Sequence, residues 1–493
     1  MSLADIKRCF RIIVPLLLTL VTGCGFLGGA IGTGSGGGGF ATANGLLNLA
    51  DAAPDRVLAL SFHISDVKVH QTSGASVSML NNPAGLTVEM THRQALFEPI
   101  NLSQTLAQGT YDSVTITFTT AAVTFLDDAG VVQQDAAATV TTNTTTVILP
   151  ATVLLTNTVP MVLNLQFQPS SVTINLLTNK ATITPTFTAT AVLAPSGAQT
   201  EANGLVRQIT GVVTATPPAG ATKFTISSSQ LANPLTIDTD ASTIYSTSPP
   251  GDIANFGSLV AGNIVQVQAV TVPGISGLAV GLPNLLAKLI DGENAGVGLT
   301  TGADLQGVVT SESVDVLTPF NVDAFIFRVQ NVASTAAPPT LGGPITVNDF
   351  SAPTVFLIDQ QDVDLTNIPP ALFTPLFDRV HLRRAQEISA IYAVAGTTTA
   401  PKKIKLKLQT MPGTVVSIIN GGVIGQSLIV FQPPADSIFT LLTGQTTLTV
   451  IQQPSTVVLG TVPAPGNPMH ARGLLFFDTV SGTYFLVADQ LTP

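Results

Sequence analysis

Apolar and polar residues alternate along much of this chain with a period of two. The clearest run is Val114-Thr115-Ile116-Thr117-Phe118-Thr119, apolar on one face and threonine on the other. Leu163-Asn164-Leu165-Gln166-Phe167-Gln168 and Val172-Thr173-Ile174-Asn175-Leu176 repeat it. So does Ile183-Thr184-Pro185-Thr186-Phe187, whose proline predicts an edge strand or a bulge. Val57 to Gln71 reads as one long strand. Turn signals at Asn81-Asn82-Pro83, Asp127-Asp128-Ala129-Gly130 and Pro169-Ser170-Ser171 separate the runs, so antiparallel strands covered on one side are expected. Two such sheets face to face make a β-sandwich, placed at residues 56–200.

After Pro195-Ser196-Gly197 the rhythm changes and the chain begins to repeat itself. Ile209-Thr210-Gly211-Val212-Val213-Thr214 is echoed by Leu305-Gln306-Gly307-Val308-Val309-Thr310. Each precedes a strand, Lys223-Phe224-Thr225-Ile226 or Phe325-Ile326-Phe327-Arg328-Val329. In the first unit a Gly turn at Gly262 leads into the strand Ile264-Val265-Gln266-Val267. Leu286 to Ile290 and Ile391 to Val394 are the expected closing strands. A third, degenerate unit starts at Gly413-Thr414-Val415-Val416-Ser417-Ile418 and ends on Ala471 to Phe476 and Tyr484 to Ala488. The expected units are 205–300, 301–400 and 401–493, each a small barrel-like body, since closure removes exposed strand edges.

Composition strengthens the all-β reading. Only 10% of residues are charged, against about 25% in typical globular proteins, so Thr, Ser, Asn and Gln must cover the surface. The helix formers Glu, Lys and Arg are scarce while Val and Thr abound. The net charge of −10 argues against nucleic acid and anionic head groups as partners.

The N-terminus carries an address. Lys7, Arg8 and Arg11 precede an apolar core from Ile12 to Val21, and Val21-Thr22-Gly23-Cys24 closes it. This is the layout of a secretory signal, too short to span a bilayer as a helix, which needs about 20 residues. The tetrapeptide resembles a bacterial lipobox. The resemblance implies a signal peptide at 1–23 and a lipid on Cys24, and Gly25 in place of an aspartate favours the outer membrane. Cys9 falls inside the segment to be removed, leaving Cys24 as the mature chain's sole cysteine, with no disulfide or thiolate metal site. Residues 24–55 are glycine-rich at their start and read as a tether. Gly32-x-Gly34-x-x-Gly37 formally matches a dinucleotide fingerprint but follows no strand, so the match is compositional.

Two family resemblances follow. Ile64-Ser65-Asp66-Val67-Lys68-Val69, Ile100-Asn101-Leu102 and Gln108-Gly109-Thr110-Tyr111 running into Val114-Thr115-Ile116 resemble the bacterial domain of unknown function forty-three eighty-two, over residues 56–195. This implies a β-sandwich on an exported lipoprotein and brings no catalytic residues. The Gly-Val-Val opening strands and the Gly262-Asn263-Ile264-Val265-Gln266-Val267 strand resemble domain of unknown function fifty-six sixty-six, from 205 onward and more weakly toward the C-terminus. It implies small, closed or partly closed barrels.

Recognisable chemistry is sparse. His63, His70, His92, His381 and His470 form no close ligand pair, and the seven-residue separation of His63 and His70 predicts opposite strand faces. His381 beside Arg383 and Arg384 reads as a polar surface group. Asp359, Asp362 and Asp364 offer oxygens for calcium but lack the glycine and terminal glutamate of an EF-hand loop, so a solvated turn is the better account. Asp238 and Asp240 read the same way. Lys403, Lys405 and Lys407 put a basic face on one strand, suited to block edge pairing or to grip an acidic glycan. No Gly-x-Ser-x-Gly, Walker or His-Glu-x-x-His motif is present, and no cofactor is expected. The expected function is a non-enzymatic, lipid-anchored envelope protein, contacting the membrane through Cys24 and meeting an envelope protein or a polysaccharide. A glycan-binding or adhesive module is the alternative, and a hydrolase or an outer-membrane barrel comes after it.

Overall fold

The computed structural model describes residues 42–492 except 51–54, 94–96, 157–159, 195–198, 201–202, 247–252, 273–283, 294–301, 316–320, 335–337, 351–353, 360–362, 367, 370–371, 393–399, 421–424 and 461–462. The fold is all-β: a sandwich followed by three barrel-like repeats.

One sandwich sheet runs, in spatial order, Phe187–Leu193, Met161–Phe167, Thr42–Ala50 and Glu98–Ala107. The other is built on the long antiparallel pair Val57–Gln71 and Gly109–Leu126. Its flanks are Ser76–Ser78 and Leu86–Glu89 on one side, Val132–Asp135 and Thr144–Leu155 on the other. Phe62, Phe118, Phe167 and Phe187 interlock between the sheets with ring centroids 5.1–5.6 Å apart. The Gly-x-Tyr turn has a physical cause. Tyr111 is buried, and its hydroxyl donates to the Ala107 carbonyl at 2.7 Å, pinning the strand entry.

Two sandwich expectations need correction. Residues 42–50 are not tether but a central strand, parallel to Met161–Phe167, with Leu46, Leu47 and Leu49 fully buried. Leu47 and Leu49 face the sandwich core while Leu46 faces the first repeat, so both faces are covered and no alternation betrays the strand. The run around Pro185 is not one strand either. Lys180–Ile183 pairs with Val172–Asn175 in a small separate sheet, and Phe187–Leu193 joins the main sheet; Pro185, with no N–H to give, sits in the break.

The repeats share one connectivity. In the first, the strands are Leu205–Val213, Lys223–Ser227, Leu235–Asp238, Ile264–Val272 and Asn284–Glu293. The first strand pairs with the second and fourth, the fifth with the fourth, and a parallel contact between third and fifth closes the barrel. The third repeat closes identically with Leu408–Asn420, Ser427–Gln432, Leu448–Val458, Pro468–Asp478 and Thr483–Thr492. The second uses Ala303–Val314, Val322–Ser334, Pro344–Val347, Glu387–Tyr392 and Lys403–Leu406, but its third and fifth strands do not pair. Val355–Ile358 lies parallel to the fifth instead. A first–second–third–fifth–fourth order with a parallel closure is the connectivity of the OB barrel.

Register ties the copies together more closely than sequence does. Gly211, Gly307 and Gly413 occupy one position, each preceding a residue paired with the second strand at Ser227, Arg328 or Gln432. A Cβ there would lie 2.9 Å from the Ser227 carbonyl oxygen, overlap that of Arg328, or lie 2.6 Å from that of Gln432. The glycines let the first two strands approach closely. Two residues on, Val213, Val309 and Val415 each exchange backbone hydrogen bonds with the turn before the fourth strand. That turn needs a left-handed residue, supplied by Gly262 (φ 87°), Ala385 (φ 70°) and Gly466 (φ 87°).

The second repeat's limits shift accordingly. Ile391 and Tyr392 belong to its fourth strand, and the closing strand is Lys403–Leu406, beyond the expected boundary at 400. The counterpart of the Gly262 turn goes unrecognised in sequence because alanine stands at 385.

Candidate functional site: a polar junction between sandwich and repeats

A cluster of the chain's scarce charged groups lies where the sandwich meets the repeats. The strand Leu86–Glu89 runs into a single 3-10 turn, Thr91–Arg93, and delivers Glu89, His92 and Arg93 to that junction. Glu89 is fully buried. One carboxylate oxygen accepts from the backbone N–H groups of Leu60 and Thr91 and the Thr91 hydroxyl, and the other from His92 Nδ1 at 2.7 Å. His92 Nε2 donates to Glu98 at 3.0 Å, and Arg93 reaches the same carboxylate at 3.2 Å. Burial opposes a charge on the imidazole, but Glu98 and the two hydrogen bonds outweigh it and push the group up to about 9. His92 is therefore an imidazolium clamped between carboxylates, which leaves no lone pair for a metal or for base catalysis.

The clamp is wired to both neighbouring repeats. Gln230 of the first repeat accepts from Arg93 and the Glu89 N–H and donates to Gln330 and Asn331 of the second. Gln330 donates to the Leu58 carbonyl and the Thr91 hydroxyl. Beside it lies a cavity of about 80 Å³ lined by Asp55, His92, Gln330, Glu387, Ser437 and Arg472, among others. Burial, only partly offset by His92, Lys407 and Arg472, pushes the Glu387 carboxyl up to about 7. Asp55 is raised to about 6, by burial and by Asp436. Gln330 Oε1 and Arg472 Nε are buried without a protein partner. A cavity of this size takes several waters. It falls short of the roughly 300–1,000 Å³ of small-molecule sites.

Lys403, Lys405 and Lys407 are buried, contrary to both roles expected for them. Their strand is no edge, being flanked by Glu387–Tyr392 and Val355–Ile358. Its basic face turns to the first repeat, where Lys405 pairs with Asp291 at 2.9 Å and Lys407 with Gln266 at 2.7 Å. Lys407 also pairs with Asp359, so that aspartate is a buried ion-pair partner and not part of a solvated turn. Asp364 accepts from the Thr366 N–H and hydroxyl in a turn, and Asp362 lies outside the described residues. Among the described residues no group of three or more His, Cys, Asp or Glu is arranged to hold a metal ion. Asp240 accepts from Ser242 in a turn, and Asp238 lies 3.7 Å from Lys223.

The remaining histidines are local. His63 and His70 share the outer face of their strand, not opposite faces, because register shifts between Ile64 and Asp66 reverse the alternation. They meet Thr87 and Thr115, respectively. His381 is mostly covered and lies 2.7 Å from Asp378, which also accepts the His381 N–H. Cys24 and its lipobox lie outside the described residues. The signal that would have exposed the junction was available: Glu89, His92, Arg93 and Glu98 fall within ten residues of a chain only 10% charged. No protein-family model matches the chain, and no curated protein does.

Proposed function

We propose that this protein is an exported lipoprotein held to the cell envelope through Cys24, with a structural or interaction role and no catalytic one. Its sandwich and repeats resemble, in the motifs quoted above, the two domain families named there. The observation that carries the reading is the ordered run of basic residues, apolar core and Val21-Thr22-Gly23-Cys24. The junction supports it: Glu89, His92, Arg93 and Glu98 are spent on one another, while Gln230, Gln330 and the ion pair of Lys405 and Asp291 tie the bodies together, which suits a rigid spacer better than a reaction centre. Tyr111, Tyr392 and Tyr484 are buried, Tyr245 is half-buried and tryptophan is absent, so a protein partner is favoured over a sugar-stacking platform.

Intact-mass analysis of membrane-extracted protein tests the anchor. The wild type is expected to begin at residue 24 and carry acyl mass, and Cys24→Ser to carry none. An unlipidated native N-terminus elsewhere would overturn the localisation. Saturable binding to a panel of wall polysaccharides would replace the protein-partner reading with the glycan one.

A further inference from the structure

The second and third repeats contain the same extended hairpin, and among the described residues the third leaves its edge open. In the second repeat, Val309 makes the last backbone bonds to the turn at Ala385 and Gln386, and a register shift then sets Ser311 opposite Ile326. Beyond it the edge is blocked by charge, since Glu312 accepts from the Arg384 N–H and side chain at 3.0–3.2 Å. The third repeat has the same bonds at Val415 and the same shift, with Ser417 opposite Val430. There Ile418 stands where Glu312 would be, and Pro465 where Arg384 would be. Val416, Ile418 and Ile419 are 47%, 36% and 56% exposed, and among the described residues nothing pairs with the side of 416–420 facing away from Ser427–Gln432. No Lys, Arg, Asp or Glu occurs from Leu408 to Ala435.

We propose that this open edge joins two copies of the chain by antiparallel strand pairing about a two-fold axis. Natural sheets protect apolar, β-branched edges with charge or bulges; the second repeat has both, whereas the third keeps the bulge and lacks the charge, which leaves its edge to be covered. A strand related to itself by a two-fold is its own complement: residue i faces j and j faces i, and the residue on the axis faces itself. Glu312 in that position would set like charges face to face, whereas Ile418 and Ile419 do not. A bilayer is the poorer occupant, because interfacial segments carry Lys or Arg with Trp or Phe, and residues 416–420 have none.

Sedimentation equilibrium of the full chain in density-matched detergent tests this. The wild type is expected at twice the mass of one copy, falling toward one copy on dilution. Ile418→Glu with Pro465→Arg, which imports the second repeat's arrangement, is expected to sediment as a single copy with an unchanged circular dichroism spectrum. Ile419→Lys serves the same purpose should the double variant misfold, and Val480→Glu, at an exposed position elsewhere, is expected to leave the dimer intact. A wild type that remains monomeric, or a dimer that survives Ile418→Glu and Ile419→Lys, overturns the proposal. So does a monomeric wild type that binds phosphatidylcholine vesicles through Ile418 and Ile419.

Discussion

At the scale of single residues, the repeats act as internal controls for one another. Ala385 adopts a left-handed conformation (φ 70°) that its counterparts Gly262 and Gly466 adopt as glycines. A Cβ in that region costs roughly 1–2 kcal/mol. Part of this is regained because alanine loses less backbone entropy than glycine on folding. Ala385→Gly is therefore expected to stabilise the chain by about 0.5–1 kcal/mol, read as a higher denaturant midpoint at unchanged m. The first-strand glycines predict the opposite sign. A methyl at Gly307 would overlap the Arg328 carbonyl oxygen, while at Gly211 the nearest oxygen is 2.9 Å away. Backbone must move in the first case. Gly307→Ala is expected to cost about 3 kcal/mol and Gly211→Ala closer to 1, within the range for overpacked sites. Equal melting shifts for the two would refute this account of the motif.

At the scale of elements, the lysine strand Lys403–Leu406 and its continuation to Lys407 show what alternation can and cannot reveal. The period of two identified a strand with one basic face, and the structure has that strand. Whether the face meets water or a neighbouring body is set by tertiary packing, and Asp291 and Gln266 lie more than 100 residues away in sequence. The same limit explains Thr42–Ala50, where covering both faces erases the alternation that revealed Val57–Gln71 to the residue. It applies in part to the junction: the cluster of Glu89, His92, Arg93 and Glu98 stands out in a chain only 10% charged, but the Gln230 and Gln330 that wire it to the repeats come from other bodies. Long strands covered on one side were legible; interfaces between repeats were not. The lysine strand carries its own prediction. Lys405→Ala removes the cation paired with the buried Asp291 carboxylate and should cost about 3–5 kcal/mol, whereas Lys405→Met with Asp291→Leu should recover most of that. Chemical denaturation of the three proteins measures it, and a double variant no better than the single one would mean that an apolar pair cannot take the place of the ion pair.

At the scale of the whole molecule, the junction's ionisable groups should set the pH at which the fold is strongest. Glu387 is raised from 4.5 to about 7, chiefly by burial, so the folded state keeps a proton that the unfolded chain releases. Its contribution is full below pH 4.5 and is lost as pH rises to 7. His92 is raised from 6.5 to about 9, with burial opposing and Glu98 prevailing, so its contribution is full below 6.5 and is lost as pH rises through 9. Each shift corresponds to at most about 3 kcal/mol. The opposite limb belongs to Glu98, held below the usual carboxylate range by His92 and Arg93 against its burial, and to Asp135, lowered by the Ala181 N–H and Lys180 against burial. Their contributions vanish as pH falls below about 4. Stability should therefore peak at about pH 4.5 and decline through neutrality to pH 9, placing the optimum on the acid side. The urea midpoint measured at pH 5, 7 and 9 checks this, and Glu387→Gln separates the two groups. An uncharged amide at 387 should reduce the decline between pH 5 and 7, leaving the part that Asp55, raised to about 6, contributes and the loss between 7 and 9 that His92 causes. A variant that still weakens between pH 5 and 7 as the wild type does would remove Glu387 from the account and return the cavity beside it to a water-filled space without a role in stability.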